Sequence, residues 1–210
     1  MAKTGRHPTI LEPLLLQSKK KKCQKTANSS IRIIAGQWRG RKLGVIDADG
    51  LRPTGDRIRE TLFNWLLPYT AGSRCLDAFA GTGALGLEAL SRGASYVQFA
   101  ELNSATADQL QSNLSLLKCE QASLFRGNVL NWLHEDRPPE RFNVVFFDPP
   151  FADDLWQPAL QALLCSPHLA DEALIYIEAP QHTPPPITTK LHCFREKVSG
   201  GVRYGLYKQC

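Results

Sequence analysis

The sequence predicts an α/β fold: a doubly wound, mostly parallel sheet with a C-terminal antiparallel hairpin, preceded by a small N-terminal β-hairpin and helix. Three observations predict it. Short apolar runs bounded by turn residues alternate with amphipathic segments from residue 74 to residue 179, the pattern of a parallel sheet covered on both faces. Chemically unusual residues follow the first four of these runs, where open α/β sheets bind ligands in the crevice at the carboxyl ends of their strands. After the PPP of 184–186 the pattern changes, and LHCFREKVSGGVRYGLYKQ (191–209) reads as two strands turning at Ser199-Gly200-Gly201.

The elements follow in order. Residues 1–29 have little periodicity and hold the run Lys19 to Lys22, so a disordered basic tail is expected there. Residues 30–70 form an extension: IRIIAGQWRGRKLGV (31–45) reads as two short strands around a turn near Arg39-Gly40, and RPTGDRIRETLFNWLL (52–67) as a helix. In that helix Ile58, Leu62, Trp65 and Leu66 recur at helical spacing while Arg57 and Arg59 project elsewhere, and Thr54 is read as its cap. Residues 71–210 form the main domain. Its strands are expected at 74–79, 95–101, 122–127, 141–148 and 173–179, and its helices at 84–93, 104–118, 129–135 and 154–165.

The chain has 210 residues, 43% hydrophobic and 21% charged, which suits one globular domain with a small appendage. Residues 1–59 hold 14 Lys and Arg against 4 Asp and Glu and the rest hold 11 against 16, so the net charge of +5 is a front of +10 on a body of −5. That split points to a polyanion, most simply a nucleic acid, held by the front. No stretch approaches the roughly 18 apolar residues of a membrane span and the start lacks a signal pattern, so a cytoplasmic protein with no membrane partner is expected. The six cysteines form no C-x-x-C pair and have no histidine cluster beside them, and neither a metal site nor a disulfide framework is expected.

Gly81-Thr82-Gly83-Ala84-Leu85-Gly86 matches G-x-G-x-x-G at a strand-to-helix junction, which lets a ligand approach the backbone closely. Glu101 lies 20 residues after Gly81, the usual place for an acid that accepts from ribose hydroxyls, so a nucleoside-containing cofactor is indicated. Two fit. A nicotinamide dinucleotide would set its pyrophosphate on the helix N-terminus, whereas S-adenosylmethionine brings a sulfonium and an ammonium. Asp77, four residues before Gly81, supplies a carboxylate that suits the cation and repels pyrophosphate.

DAFAGTGALGLEALSRGA, together with DPPF at 148–151, resembles the S-adenosylmethionine-dependent methyltransferases of the Rossmann-like class. IRIIAGQWRGRKL, LRPTGDRIRETLFNWL, DEALIYIEA and VRYGLYK narrow the resemblance to the bacterial family of 16S ribosomal RNA (guanine-N2)-methyltransferase D, which methylates the exocyclic N2 amine of one guanosine in small-subunit RNA; it covers residues 31–208. The resemblance implies S-adenosyl-L-methionine as cofactor, held by Asp77, Phe79, Gly81, Gly83, Glu101 and Asn128. It implies 16S ribosomal RNA as partner, free or within the small ribosomal subunit, and a monomer without metal.

An exocyclic amine is a poor nucleophile because its lone pair is delocalised into the ring. Acceptors aimed at its hydrogens favour a pyramidal nitrogen whose lone pair can point at a methyl donor. FFDPPF ends a core strand with such parts: Asp148 as carboxylate acceptor, Pro149 as carbonyl on a stiffened backbone, Phe151 as a face for an extruded base, with Pro150 beside the substrate. Arg39, Arg41, Lys42, Arg52 and Arg57 are the candidates for phosphate contacts, and Trp38 either accompanies a base or packs under the hairpin. Two other readings stay open: an adenine-N6 methyltransferase acting on RNA or DNA, which DPPF serves equally well, and an NAD-dependent oxidoreductase, which Asp77 disfavours.

Overall fold

The computed structural model describes Met1 and residues 30–46, 54–134, 141–149, 156–182 and 190–209. Residues 2–29 of the expected tail, Arg52, Pro150 and Phe151 lie outside the described residues.

Seven strands form the main sheet: β3 (Arg74–Asp77), β4 (Tyr96–Glu101), β5 (Ala122–Arg126), β6 (Phe142–Phe147), β7 (Leu169–Pro180), β8 (Leu191–Ser199) and β9 (Val202–Gln209). Their spatial order is β5-β4-β3-β6-β7-β9-β8. The first five are parallel, and β9 and β8 add antiparallel at the edge, as expected. Helices α3 (Ala84–Ser91), α4 (Ser104–Leu117), α5 (Val129–Leu133) and α6 (Trp156–Cys165) provide the crossovers. Side chains alternate across the sheet and divide the interior into two clusters. Val144, Phe146 and Tyr176 join one face with Phe99, Leu87 and Leu110, whereas Leu76, Val145, Phe147 and Ile175 join the other with Leu160 and Leu163.

The extension consists of β1 (Ser30–Arg32), β2 (Lys42–Gly44), α1 (Asp56–Trp65) and the short α2 (Leu67–Thr70). Ile31, Ile33, Leu43, Leu62, Phe63 and Leu66 are buried in the same cluster as the sheet residues, so the extension shares the core of the main domain. Each strand of its hairpin is three residues long, shorter than the sequence suggests. The intervening amides find other acceptors: Ile34 N and Ala35 N donate to the Glu88 carboxylate at 2.8 and 3.0 Å, Gln37 N donates to Ser91 O at 2.7 Å, and Trp38 N to Ser91 Oγ at 3.0 Å. Trp38 is partly buried against the core, which supports its packing role.

Two expectations in the helix region need correction. Arg59 does not project outward: it is 1% exposed, donates to Arg32 O at 3.0 Å and to Asp56 Oδ1 at 2.6 Å, and lies 3.6 Å from Glu88 Oε2. Its long side chain has been drawn inward by a buried acid 29 residues away in sequence. Thr54 does not cap α1, because Gly55 occupies that position and no side chain bonds the first turn. The helix also ends earlier than expected: Leu66 closes it, and Pro68, which has no N–H to continue the ladder, enters a separate turn.

Glu88 is fully buried on α3, bonded to Arg92 Nε at 2.7 Å besides the partners above. Removing it leaves the Arg59 guanidinium buried with only the exposed Asp56 for charge. Glu88→Ala is expected to lower unfolding free energy by about 3 to 5 kcal/mol, read by urea denaturation. A loss under about 1 kcal/mol contradicts the role given to this carboxylate.

Candidate active site

Strand β3 pairs β4 on one side and β6 on the other, so successive crossovers leave it in opposite directions and open a crevice beyond its carboxyl end. The glycine loop lies there. Gly83 starts α3 with φ +75°, in the left-handed region, and a Cβ on it would collide with Leu110 Cδ1. No side chain caps the helix from position 83. Asp77 does so from the strand below: its Oδ2 accepts from Gly86 N at 2.9 Å, and Gly86 leaves room because a Cβ there would clash with Phe99 and stand 3.0 Å from Asp77 Oδ2. Glu101, at the end of β4, accepts from Gly81 N at 2.7 Å through Oε2 and from Asn103 N at 2.7 Å through Oε1. The acid chosen by spacing therefore holds the loop directly.

Asn128 follows β5 and caps α5, its Oδ1 accepting from Leu130 N at 2.9 Å, which leaves its amide N–H2 toward solvent. Phe79 stands edge-on to Phe147 with ring centroids 5.4 Å apart. Asp77, Phe79, Gly81, Gly83, Glu101 and Asn128 thus come together along the carboxyl ends of β3, β4 and β5.

Asp148 and the buried Pro149 directly follow β6 beside this loop. Sequence reasoning missed what lies next to them. Phe147 is opposite Ile177 in the β6–β7 register, so Asp148 and Glu178 follow on the same face of the sheet, two residues beyond the level of Asp77, Phe146 and Tyr176. Glu178 is buried and its Oε1 accepts from the Tyr176 hydroxyl at 2.7 Å. The Thr54 hydroxyl interacts with Glu178 as well. Carboxyls from three adjacent strands therefore stand near one another: Asp77 ends β3, Asp148 follows β6, and Glu178 lies two residues before the end of β7. Among the described residues none of them has a Lys or Arg partner.

The electrostatic consequence is uniform. Burial raises the Asp77 carboxyl to about 7, partly offset by the Gly86 N–H and reinforced by Glu101. Burial, then the Glu178 and Asp77 charges, hold Asp148 well above the ordinary carboxylate range. Burial also raises Glu178, with the Tyr176 and Thr54 hydroxyls pulling it back. A signal for Glu178 was present in the sequence, an acid in the otherwise apolar run ALIYIEA, at the strand end next to that of Asp148.

The basic candidates are spread more widely. Arg57 is exposed in the first turn of α1, three residues from Thr54. Arg39, Arg41 and Lys42 are exposed, but their loop is fastened to Ser91 at the carboxyl end of α3, about 10 Å along the helix from the glycine loop. They are not gathered at the crevice.

Comparison with known proteins identifies the family. A family model described as conserved hypothetical protein 95 matches residues 31–208. The ribosomal RNA small subunit methyltransferase D of Haemophilus influenzae is 48% identical over 184 residues, 87% of this chain and 95% of that protein. Its counterpart in Escherichia coli K12 is 47% identical over 190 residues, 90% of this chain and 95% of that protein. A solved structure described as a putative methyltransferase from Escherichia coli superposes with a TM-score of 0.79 at 45% identity, covering 86% of this chain and 98% of that one.

Because the Asp77 carboxyl is raised, the folded state holds its proton more tightly than the unfolded chain. The stability this gives is full below the ordinary carboxylate range and is lost as pH rises through about 7. Asp77→Asn keeps an acceptor for Gly86 N–H without the charge. The variant is expected to melt higher than the parent at about pH 8, the difference shrinking toward about pH 5, in thermal melts of the cofactor-free protein. A difference independent of pH contradicts the buried, unpaired state of Asp77.

Proposed function

This chain belongs to the ribosomal RNA small subunit methyltransferase D family, and from that premise we propose that it methylates the exocyclic N2 amine of one guanosine in 16S ribosomal RNA, in the cytoplasm, using S-adenosylmethionine. The observation that carries the chemistry is the convergence of Asp77, Asp148 and Glu178, without basic partners among the described residues, beside a glycine loop held by Glu101. Such a site suits a cation and opposes the pyrophosphate of a nicotinamide dinucleotide. S-adenosylmethionine fits it; when bound, it supplies an electrophilic methyl group whose bond to sulfur breaks with its electrons left on sulfur.

Each residue then has a role. Both Glu101 oxygens already accept one backbone N–H, and the second lone pair of each remains for ribose hydroxyls. Asn128 offers its amide hydrogens to the adenine ring. Asp77 faces the cationic end of the cofactor. Asp148 and the carbonyl of Pro149 accept from the target amine, localise its lone pair and orient it, while Phe151 stacks on the extruded guanine. The exposed Arg57 approaches phosphates near the crevice, and Arg52 and Pro150 are assigned to the substrate from sequence alone. Arg39, Arg41 and Lys42 contact the RNA backbone farther out, within an extension spanning residues 30–70 that serves the cofactor domain of 71–210.

Three measurements test this. Titration calorimetry is expected to show binding of S-adenosylmethionine and none of NAD; the reverse result removes the proposal. Asp148→Ala is expected to fold and bind cofactor but to lose about 100- to 1,000-fold in single-turnover methyl transfer, and a parental rate would reduce DPPF to a turn. The double variant Arg39→Glu, Arg41→Glu is expected to bind RNA more weakly, with a shallower dependence of affinity on salt and unchanged cofactor affinity. An unchanged salt slope means these arginines are only solvated.

A further inference from the structure

Glu178 has no part in the roles just assigned, yet its surroundings single it out. It is 5% exposed near the carboxyl end of a core strand, beside Asp148 and without a basic partner among the described residues. The groups that face it come from every neighbouring element. Tyr176 precedes it on β7, Tyr204 lies opposite on β9 and stacks on Trp65 of α1 at 5.6 Å, Thr54 approaches from the loop before α1, and Asp148 and Asp77 lie toward β6 and β3. The nearby Arg203 is engaged by Glu196 of β8. A second carboxylate this close to the acceptor Asp148 is a liability for a site that only needs one.

We propose that Glu178 is a positioning residue for the methyl-transfer reaction: with Asp148 it forms a carboxyl pair that holds one proton in the cofactor-free protein, releases it when the cationic cofactor binds, and takes one back from the target amine. The inference rests on the cofactor reading above. Two neighbouring carboxylates, Glu178 buried and Asp148 half-buried, do not both ionise readily without a compensating charge. Within the pair, the Tyr176 and Thr54 hydroxyls interact with Glu178 and, among the described residues, none bonds Asp148, so the negative charge settles on Glu178 and the proton on Asp148. S-adenosylmethionine carries one positive charge more than its demethylated product. Its arrival compensates the second carboxylate, and the Asp148 proton leaves to solvent, which frees both oxygens of Asp148 to accept from the amine.

The protons balance over a cycle. The amine nitrogen forms its bond to the methyl carbon with its own lone pair and gives up one proton. Asp148 receives that proton as the positive charge at sulfur disappears, which returns the pair to its starting state. One proton has gone to solvent per methyl group transferred, as the overall reaction requires. Glu178 thereby makes the site distinguish the charged cofactor from its neutral product.

The test is titration calorimetry of the whole protein near pH 7 in buffers of different ionisation enthalpy, with S-adenosylmethionine and S-adenosylhomocysteine as probes. The parent is expected to release about one proton more with the first than with the second. Glu178→Gln keeps an acceptor for the Tyr176 hydroxyl and removes the charge that holds the proton on Asp148. Its excess release is expected to fall below about half, and its affinity for S-adenosylmethionine to lose most of its rise with increasing pH. Its single-turnover rate is expected to reach a plateau at lower pH than the parent's. Excess release that persists in Glu178→Gln assigns the proton to Asp77 and overturns the inference, as does equal release with both probes. Failure of the parent to bind S-adenosylmethionine overturns the cofactor reading and the inference together. If the variant melts too early for calorimetry, carbon-13 carboxyl titration of the cofactor-free parent decides instead: two widely separated steps for Asp148 and Glu178 are expected, and two ordinary steps overturn the pair.

Discussion

A carboxylate without solvent contact, Glu88, joins the parts of this protein that sequence keeps apart. It accepts from two amides of the hairpin loop, neighbours the buried Arg59 of α1 and bonds Arg92 one turn along its own helix. That helix begins at the glycine loop. The basic extension and the cofactor crevice are therefore two ends of one rigid piece, and the core cluster that spans them leaves little freedom for the extension to move as a separate unit. The position of the extension relative to the crevice is thus set by this shared packing.

The acids of this protein fall into two kinds, and the contrast separates scaffold from site. Glu88 is buried with arginines around it, and Glu101 is occupied by backbone amides on both oxygens. Asp148 and Glu178 have other carboxyls for company, and Asp77 has one helix amide. A fold gains nothing by gathering unpaired acids in a crevice, since burial and mutual repulsion both oppose their ionised forms. A ligand that brings positive charge resolves the conflict, which is why the arrangement argues for a cationic cofactor more strongly than the glycine loop alone.

Local and periodic features were legible in the sequence. The β and α alternation from 74 to 179, the turn at Gly200-Gly201 with both residues at positive φ, and the pairing of Gly81 with Glu101 at 20 residues all rest on short-range rules. What was not legible depends on partners distant in the chain. Arg59 reads as a surface arginine until Glu88 is seen 29 residues on. Thr54 reads as a helix cap until Glu178 competes for its hydroxyl. The hairpin strands read longer than they are because Ser91 and Glu88 take the amides that a longer ladder would use. Glu178 itself reads as a strand-end acid, and only the strand order that sets β7 beside β6 makes it a neighbour of Asp148.

We propose that this crevice methylates one guanine amine of small-subunit ribosomal RNA, with Asp148 as its acceptor. Mass mapping of 16S ribosomal RNA from cells lacking this protein addresses it most directly, with the parent chain and Asp148→Ala each returned in turn. One guanosine is expected to lose a single methyl group, which the parent chain restores and Asp148→Ala does not. Ribosomal RNA with all its methyl groups in the absence of this protein, or a missing methyl on an adenine, would contradict it.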